Sequence, residues 1–145
     1  MKTPFQVYPV GAVRIENESA HIVIDASYRD AISGLEGFSH IQIFWWFHEN
    51  DTPDQRATLQ VHPRKDKNNP LTGVFATHSP TRPNLIAMST CRVLAIRDGV
   101  IKVEKIDAWN GSPVLDIKPH IPVESLKNAE IRLPAWAAVV ENRSE

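Results

Sequence analysis

The segment FSHIQIFWWFH, residues 38–48, is dense in β-branched and aromatic side chains. Such residues favour the extended, pleated backbone of a β-strand. Because side chains alternate across a strand, one face carries His40, Gln42, Phe44, Trp46 and His48, and the other carries Ile41, Ile43, Trp45 and Phe47. Apolar residues on both faces predict a strand that lies in the middle of a sheet.

Further strand patterns surround this segment on both sides. They cover residues 7–15, 20–25, 60–62, 73–77, 85–97, 100–108 and 114–117, and residues 28–35 have room for one helical turn. Closely spaced turns between many short strands are typical of antiparallel barrels and sandwiches. We therefore predict an all-β, mainly antiparallel fold, a small β-barrel with little helix, in which residues 1–145 form a single domain.

The dipeptide Asp98-Gly99 is a strong signal for a two-residue hairpin turn. Such a turn pairs Arg97 with Val100. An unbroken register then gives three further pairs: Thr90 with Asp107, Arg92 with Lys105, and Met88 with Trp109. This register predicts that Met88, Thr90, Lys105 and Asp107 share one face of the hairpin.

The stretch GVFATHSPTRPNLIAMS, residues 73–89, contains a polar segment between two predicted strands. We call residues 78–84 the corner. Pro80 and Pro83 restrict its backbone, and the planar cation of Arg82 suits a phosphate or a carboxylate. His78 adds an imidazole. The segment fits either a ligand site or a rigid turn with an exposed arginine.

Three other polar groups have both a structural and a functional interpretation. His48 and Glu49 end the central strand, Arg64, Lys65 and Lys67 lie in the polar loop HPRKDKNN, and Asp116 and Lys118 share a face of a short strand. The basic loop is either a solvated surface or a contact for phosphates. The histidine is either a hydrogen-bonded structural residue or part of a site.

Composition limits the classes of function that remain. The chain has 145 residues and a net charge of −1, with 16 basic and 17 acidic residues, which gives no global argument for nucleic-acid binding. No apolar run approaches a membrane span, and the first residues lack a secretory pattern. We therefore expect a cytoplasmic protein without a membrane partner.

Cysteine and histidine usage argues against metal and disulfide chemistry. The single cysteine, Cys91, excludes an internal disulfide and is expected to be a buried core thiol. The six histidines lack the close spacing of metal ligands, so no metal site is predicted.

Three stretches together resemble the TsaA/TrmO-like family. They are GLEGFSHIQIFWWFH (34–48), GVFATHSPTRPNLIAMS (73–89) and NGSPVLDIKPHIP (110–122), and they occur in the family's order with similar spacing. Characterised members of that family are S-adenosylmethionine-dependent methyltransferases. They methylate N6 of the threonylcarbamoyladenosine beside the tRNA anticodon.

The resemblance implies a small β-barrel, S-adenosyl-L-methionine as cofactor, tRNA as substrate and a homodimer. By position, it places cofactor contacts at His48, Glu49, His78, Met88, Glu104, Lys105, Ile106 and Asp107. His48 and Asp107 are the two candidates for a general base. Contacts to tRNA phosphates are expected from Arg64, Lys65, Lys67 and Arg82.

Two differences from the family pattern support an alternative function. His78 stands where the family has an arginine, and the short turn at residues 16–19 replaces a longer cofactor loop. The alternative is a module of the same fold that binds S-adenosylmethionine or a nucleotide, or a methyltransferase whose substrate is not tRNA.

Overall fold

The protein is described by a computed structural model that covers residues 2–138. The predicted single domain also included residues 1 and 139–145, which lie outside this range. The described chain has eight strands: β1 Gly11–Glu16, β2 Ser19–Ile24, β3 His40–Trp46, β4 Gln60–Val61, β5 Thr72–Gly73, β6 Ile86–Arg97, β7 Val100–Val103 and β8 Pro113–Pro119. Its one α-helix, α1, spans Pro53–Ala57, and short 3-10 turns occupy Ala26–Ile32, Leu35–Gly37, His48–Asn50, Pro63–Lys65, Val74–Ala76, Glu124–Leu126 and Ala135–Ala137.

Six strands close into an antiparallel barrel in the order β1-β2-β7-β6-β3-β8, and β4 pairs with β5 in a separate two-stranded sheet. The barrel closes between β1 and β8 through only two pairs, Gly11 with Val114 and Ala12 with Pro113. A Cβ atom at Gly11 would clash with the Val23 carbonyl oxygen, so glycine allows β1 to approach β2 closely. The predicted antiparallel β-barrel is confirmed.

Strand β3 pairs with β6 on one side and with β8 on the other, as an interior strand does. Its Ile41, Ile43 and Trp45 are buried in the core, while the residues between them are half-buried or exposed. The central position predicted for this strand is therefore confirmed, and its alternation determines which side chains reach the barrel interior.

Several predicted strands are shorter than expected, among them the one predicted at residues 100–108, which ends at Val103. The first begins at Gly11, not at residue 7. The strand predicted at residues 73–77 was wrong over most of its length, because β5 ends at Gly73 and Val74–Ala76 forms a 3-10 turn. Thr77 Oγ1 donates to the Val74 carbonyl at 2.9 Å, which closes this turn locally instead of extending the strand.

The hairpin turn forms as predicted, but the predicted pairing between β6 and β7 is wrong beyond the first three pairs. Asp98 and Gly99 have φ of 51° and 76°, as a type I′ turn requires, and Arg97 pairs with Val100. The pairing then shifts by one residue between Val93 and Ala95, so that Val103 pairs with Val93. Strand β7 ends there, and the pairs expected for Thr90, Arg92 and Met88 do not form.

This β-bulge reverses which β6 residues face the core. Ala87, Ser89 and Cys91 are buried, whereas Met88 is 50% exposed and Thr90 is exposed. An unshifted register would have turned the even-numbered residues inward. The shared face predicted for Met88, Thr90, Lys105 and Asp107 is therefore wrong, and Ser89 takes the place next to Asp107 that was predicted for Thr90.

Candidate functional site

Hydroxyl groups stabilise the backbone leading into the corner. Thr77 Oγ1 accepts a hydrogen bond from the Ser79 amide at 3.1 Å, and Ser79 Oγ accepts one from the Thr81 amide at 3.2 Å. Short side chains of this kind replace the backbone partners that a strand would supply. Together with the two prolines, they give the corner one defined shape.

Arg82 is half-buried and braces the corner from within. Its Nη1 donates to the carbonyl oxygens of Thr77 and Ser79, at 3.1 and 3.0 Å. The sequence suggested that this arginine contacts tRNA phosphates. In the structure, its Nη1 already holds the loop, while Nε and Nη2 donate no hydrogen bond to another residue within 2–138.

Helix α1 is fastened to the corner by Arg56. Its Nη1 donates to the Pro83 carbonyl at 3.3 Å, its Nε lies 2.7 Å from Asp51 Oδ1, and its guanidinium lies 5.3 Å from the centre of the Trp46 ring. The hydrogen bonds from Arg56 and then from Trp46 lower the pKa of Asp51. The carboxylate therefore stays charged, and the ion pair persists over the neutral pH range.

A cavity of about 120 Å³ opens between the corner and the end of the barrel. Its walls are mixed: one carboxylate, one guanidinium and one imidazole face aromatic and aliphatic surface. The lining residues are Trp45, Phe47, His78, Arg82, Ile86, Ala87, Met88 and Asp107. Convergent polar groups beside aromatic and aliphatic surface in a hollow are typical of a small-molecule site.

Two aromatic rings form the inner wall of this cavity, and a buried serine behind them connects the wall to Asp107. Trp45 and Phe47 meet edge to face, with ring centres 4.8 Å apart. Trp45 Nε1 donates to Ser89 Oγ at 2.9 Å, and Ser89 Oγ donates to Asp107 Oδ1 at 2.7 Å. Asp107 is therefore connected by hydrogen bonds to the buried core of the barrel.

Cys91 lies in the core beneath this wall and is 2% exposed. Burial, and then the nearby charge of Asp107, raise the pKa of its thiol to about 11. The thiol is therefore protonated at neutral pH, which agrees with the structural role predicted from the sequence.

The structure brings together four of the residues singled out from the sequence. His78, Arg82, Met88 and Asp107 all line the cavity. Glu104, Lys105 and Ile106, which follow the end of β7, are not among the lining residues, and Ile106 packs against the hydrophobic core instead. His48 and Glu49 also lie outside the lining, where His48 Nε2 is 3.2 Å from Glu49 Oε1.

Sequence reasoning missed the apolar half of the site. Trp45, Phe47, Ile86 and Ala87 line the cavity, and their apolar character had suggested only core packing. One signal was available: Trp45 and Phe47 end the inward face of the central strand, where a barrel opens to solvent. No sequence pattern indicated Ser89, because its place beside Asp107 depends on the β-bulge.

The basic loop is exposed and lies apart from the cavity lining. Arg64 and Lys65 both have left-handed backbone, with φ of 59° and 55°. Arg64 Nε donates to the Trp136 carbonyl at 2.6 Å, which connects this loop to the C-terminal segment. Lys65 and Lys67 are exposed and make no ion pair with another residue of the described chain.

Residues 2–138 contain neither a long apolar helix nor a cluster of metal-ligating side chains. None of the helices there is long and apolar enough to cross a membrane. The same residues contain no group of three or more histidine, cysteine, aspartate or glutamate side chains that could hold a metal ion.

The fold and cavity define a small antiparallel β-barrel protein with a mixed polar and apolar pocket at one end. The same architecture is found in a solved structure titled "Crystal structure of TrmO", with a TM-score of 0.68 and 27% sequence identity over 89% of this chain and 64% of that chain. The family model of the tRNA-methyltransferase O N-terminal domain matches residues 1–124. The chain belongs to this family.

Two curated relatives extend the comparison. The "Probable S-adenosyl-L-methionine-binding protein" of Methanocaldococcus jannaschii is 40% identical over 114 residues, which are 79% of this chain and 90% of that protein. The tRNA (adenine(37)-N6)-methyltransferase of Escherichia coli K12 is 40% identical over 136 residues, which are 90% of this chain and 57% of that protein. The chain thus spans little more than half of the E. coli enzyme.

Proposed function

We propose that this protein is an S-adenosylmethionine-dependent tRNA methyltransferase that acts on N6 of threonylcarbamoyladenosine beside the anticodon. Asp107 carries the proposal: its carboxylate lines the cavity, and its Oδ2 has no hydrogen bond or ion pair within residues 2–138. Family membership and the names of the relatives in E. coli and M. jannaschii, a tRNA methyltransferase and a probable S-adenosyl-L-methionine-binding protein, support the same conclusion.

The chemistry of the cavity fits the groups of S-adenosylmethionine. Asp107 offers an anion to its positive charges, and the faces of Trp45 and Phe47 attract cations and adenine. Arg82 and His78 offer donors to its carboxylate. When bound, the cofactor supplies a methyl group on a sulfonium, which a nitrogen nucleophile displaces in line.

Within this proposal, Asp107 is also the proton acceptor. A ureido nitrogen is a weak nucleophile until its proton leaves, so a nearby base accelerates the transfer. Of the two candidates from the sequence, Asp107 lines the cavity, whereas His48 lies outside it beside Glu49. We propose that Asp107 accepts the proton of the ureido nitrogen and that His48 has a structural role.

The tRNA is proposed to contact the exposed basic loop. Lys65 and Lys67 present ammonium groups to solvent, and Arg64 keeps its terminal guanidinium nitrogens available after Nε binds Trp136. Arg82 contributes mainly by holding the corner. Binding through these side chains predicts an affinity for tRNA that falls steeply with salt concentration.

We also propose a homodimer, because the cavity is small and its surroundings are apolar. Its volume of about 120 Å³ is below the roughly 300–1,000 Å³ of common ligand pockets. Ile86 and Met88 at its rim are 48% and 50% exposed. A second copy that covers these side chains would enlarge the pocket, and sedimentation analysis should give twice the chain mass.

Calorimetric titration with S-adenosylmethionine tests the proposed pocket. We expect wild-type protein to bind and Asp107→Ala to weaken binding by at least 10-fold, since a charged partner is lost. Asp30→Ala removes an exposed carboxylate outside the cavity lining and should bind like wild type. The absence of wild-type binding at high cofactor concentration would eliminate the pocket assignment.

A binding module without methyltransferase activity is the second candidate. The observation that favours it is the two-residue turn between β1 and β2, Asn17 and Glu18, which adds no wall to the cavity. This candidate predicts cofactor binding but no methyl transfer. Mass spectrometry of tRNA from a deletion strain separates the two, because only the enzyme hypothesis predicts loss of the methylated nucleoside.

A further inference from the structure

A line of hydrogen bonds runs from the barrel core to the cavity. Trp45 and Ser89 are 5% and 9% exposed, and the indole Nε1 lies 2.9 Å from Ser89 Oγ. The same oxygen lies 2.7 Å from Asp107 Oδ1. A nearly buried serine thus connects the end of the central strand β3 to the carboxylate of the pocket.

The direction of these bonds follows from the chemistry of the groups. An indole N–H can only donate, so Ser89 Oγ accepts from Trp45. A serine hydroxyl has one proton, and an ionised carboxylate can only accept. Ser89 must therefore donate its proton to Asp107 Oδ1, which leaves Oδ2 for another partner.

Asp107 has few other restraints. It follows the end of β7 at Val103, in residues 104–109, which form no strand. Within residues 2–138, the bond from Ser89 is the side-chain hydrogen bond that holds its carboxylate. The side chain is exposed, so without this bond it would be free to change rotamer.

We propose that Ser89 is a positioning residue that orients Asp107 for ligand in the cavity. This inference rests on the proposed function of the pocket and adds the residue that determines its geometry. Trp45 fixes the serine, the serine fixes Oδ1, and Oδ2 is thereby aimed at the ligand. The competing interpretation is a buried serine that only satisfies the Trp45 indole and has no effect through Asp107.

A double-mutant cycle in S-adenosylmethionine binding separates these interpretations. We expect Ser89→Ala to weaken binding by about 10-fold, the effect of losing one hydrogen bond to a charged group. In an Asp107→Ala background, the same change should have no further effect, because the carboxylate that it orients is gone. Equal weakening by Ser89→Ala in both backgrounds would overturn the proposal.

Two variants control for chemistry and for folding. Ser89→Thr keeps the hydroxyl and should restore most of the affinity. Ser112→Ala also removes a buried hydroxyl, which donates to the Trp109 carbonyl at 2.6 Å outside the cavity lining, and should leave affinity unchanged. If Ser89→Ala does not fold, the double variant Trp45→Phe/Ser89→Ala is compared with the single variant Trp45→Phe. Neither of these proteins contains the indole N–H that Ser89→Ala would leave without an acceptor.

The outcomes distinguish this inference from the proposed function. Wild-type binding with full affinity in Ser89→Ala would refute the positioning role and leave the pocket assignment intact. Loss of affinity in Ser89→Ala that Thr restores and that disappears without Asp107 would support both. A wild-type protein that does not bind S-adenosylmethionine would refute both.

Discussion

Replacing Arg82 with alanine removes the brace of the corner. Two hydrogen bonds are lost, from Nη1 to the Thr77 and Ser79 carbonyls at 3.1 and 3.0 Å. Bonds from a charged donor contribute about 1.5–3 kcal/mol each when well shielded. Because this side chain is half-buried and one nitrogen serves both carbonyls, we expect the two together to contribute about 2 kcal/mol.

Thermal denaturation measures this loss directly. For a chain of 145 residues, 1 kcal/mol corresponds to about 3 °C in melting temperature, so Arg82→Ala should melt about 6 °C lower. Arg97→Ala is the matched control, since its side chain is 89% exposed at the hairpin turn. That variant should melt within about 1 °C of wild type.

A salt titration of tRNA binding tests the alternative, in which Arg82 contacts a tRNA phosphate. If Arg82 mainly contacts phosphate, Arg82→Ala should keep the wild-type melting temperature and lower the salt dependence by about one counterion. That combination would refute the bracing role that we assign. We expect the opposite: a lower melting temperature, weaker cofactor binding and an unchanged salt slope.

Three further predictions concern the barrel closure, the core thiol and the basic loop. Gly11→Ala should lower the free energy of unfolding in urea by about 3 kcal/mol, because the new methyl group meets a backbone carbonyl. Gly73→Ala is the control, since a methyl group there meets open space and should leave the stability unchanged. Equal stabilities of the two variants would refute the close approach of β1 and β2. Burial raises the Cys91 pKa from 9.0 to about 11, so the unfolded chain loses the thiol proton at a lower pH than the folded chain. The free energy of unfolding should therefore fall between pH 9 and 11, and less steeply in Cys91→Ala. The same pH dependence in both proteins would contradict the assignment. Lys67→Glu should weaken tRNA binding and its salt dependence, whereas Lys102→Glu on β7 should not, and equal effects would remove the loop from the interface.

The sequence was sufficient to predict the barrel and its central strand, because both depend on local patterns. Ile41, Ile43 and Trp45 alternate inward as expected, and Asp98-Gly99 forms the expected turn. The β-bulge was not predictable from the same patterns. It depends on matching two strands of a closed barrel, and no residue near Leu94 signals it.

That single extra residue explains why the wrong neighbour was predicted for Asp107. It placed Ser89 rather than Thr90 beside Asp107, a relation that hairpin arithmetic could not give. Asp107 and His78 were assigned by position from the family resemblance, and His78 also belongs to the rigid polar corner. Trp45 and Phe47 were missed because an apolar side chain at the end of a strand has the same pattern whether it faces the core or a cavity.

Methyl transfer to tRNA tests the proposed activity most directly. Purified protein is incubated with S-adenosylmethionine and tRNA that carries threonylcarbamoyladenosine, and the nucleosides are analysed by mass spectrometry. We predict the N6-methylated nucleoside with wild type and with Asp30→Ala, and little or none with Asp107→Ala. A wild-type protein that binds S-adenosylmethionine but leaves this nucleoside unmethylated would contradict the enzyme and favour the binding module.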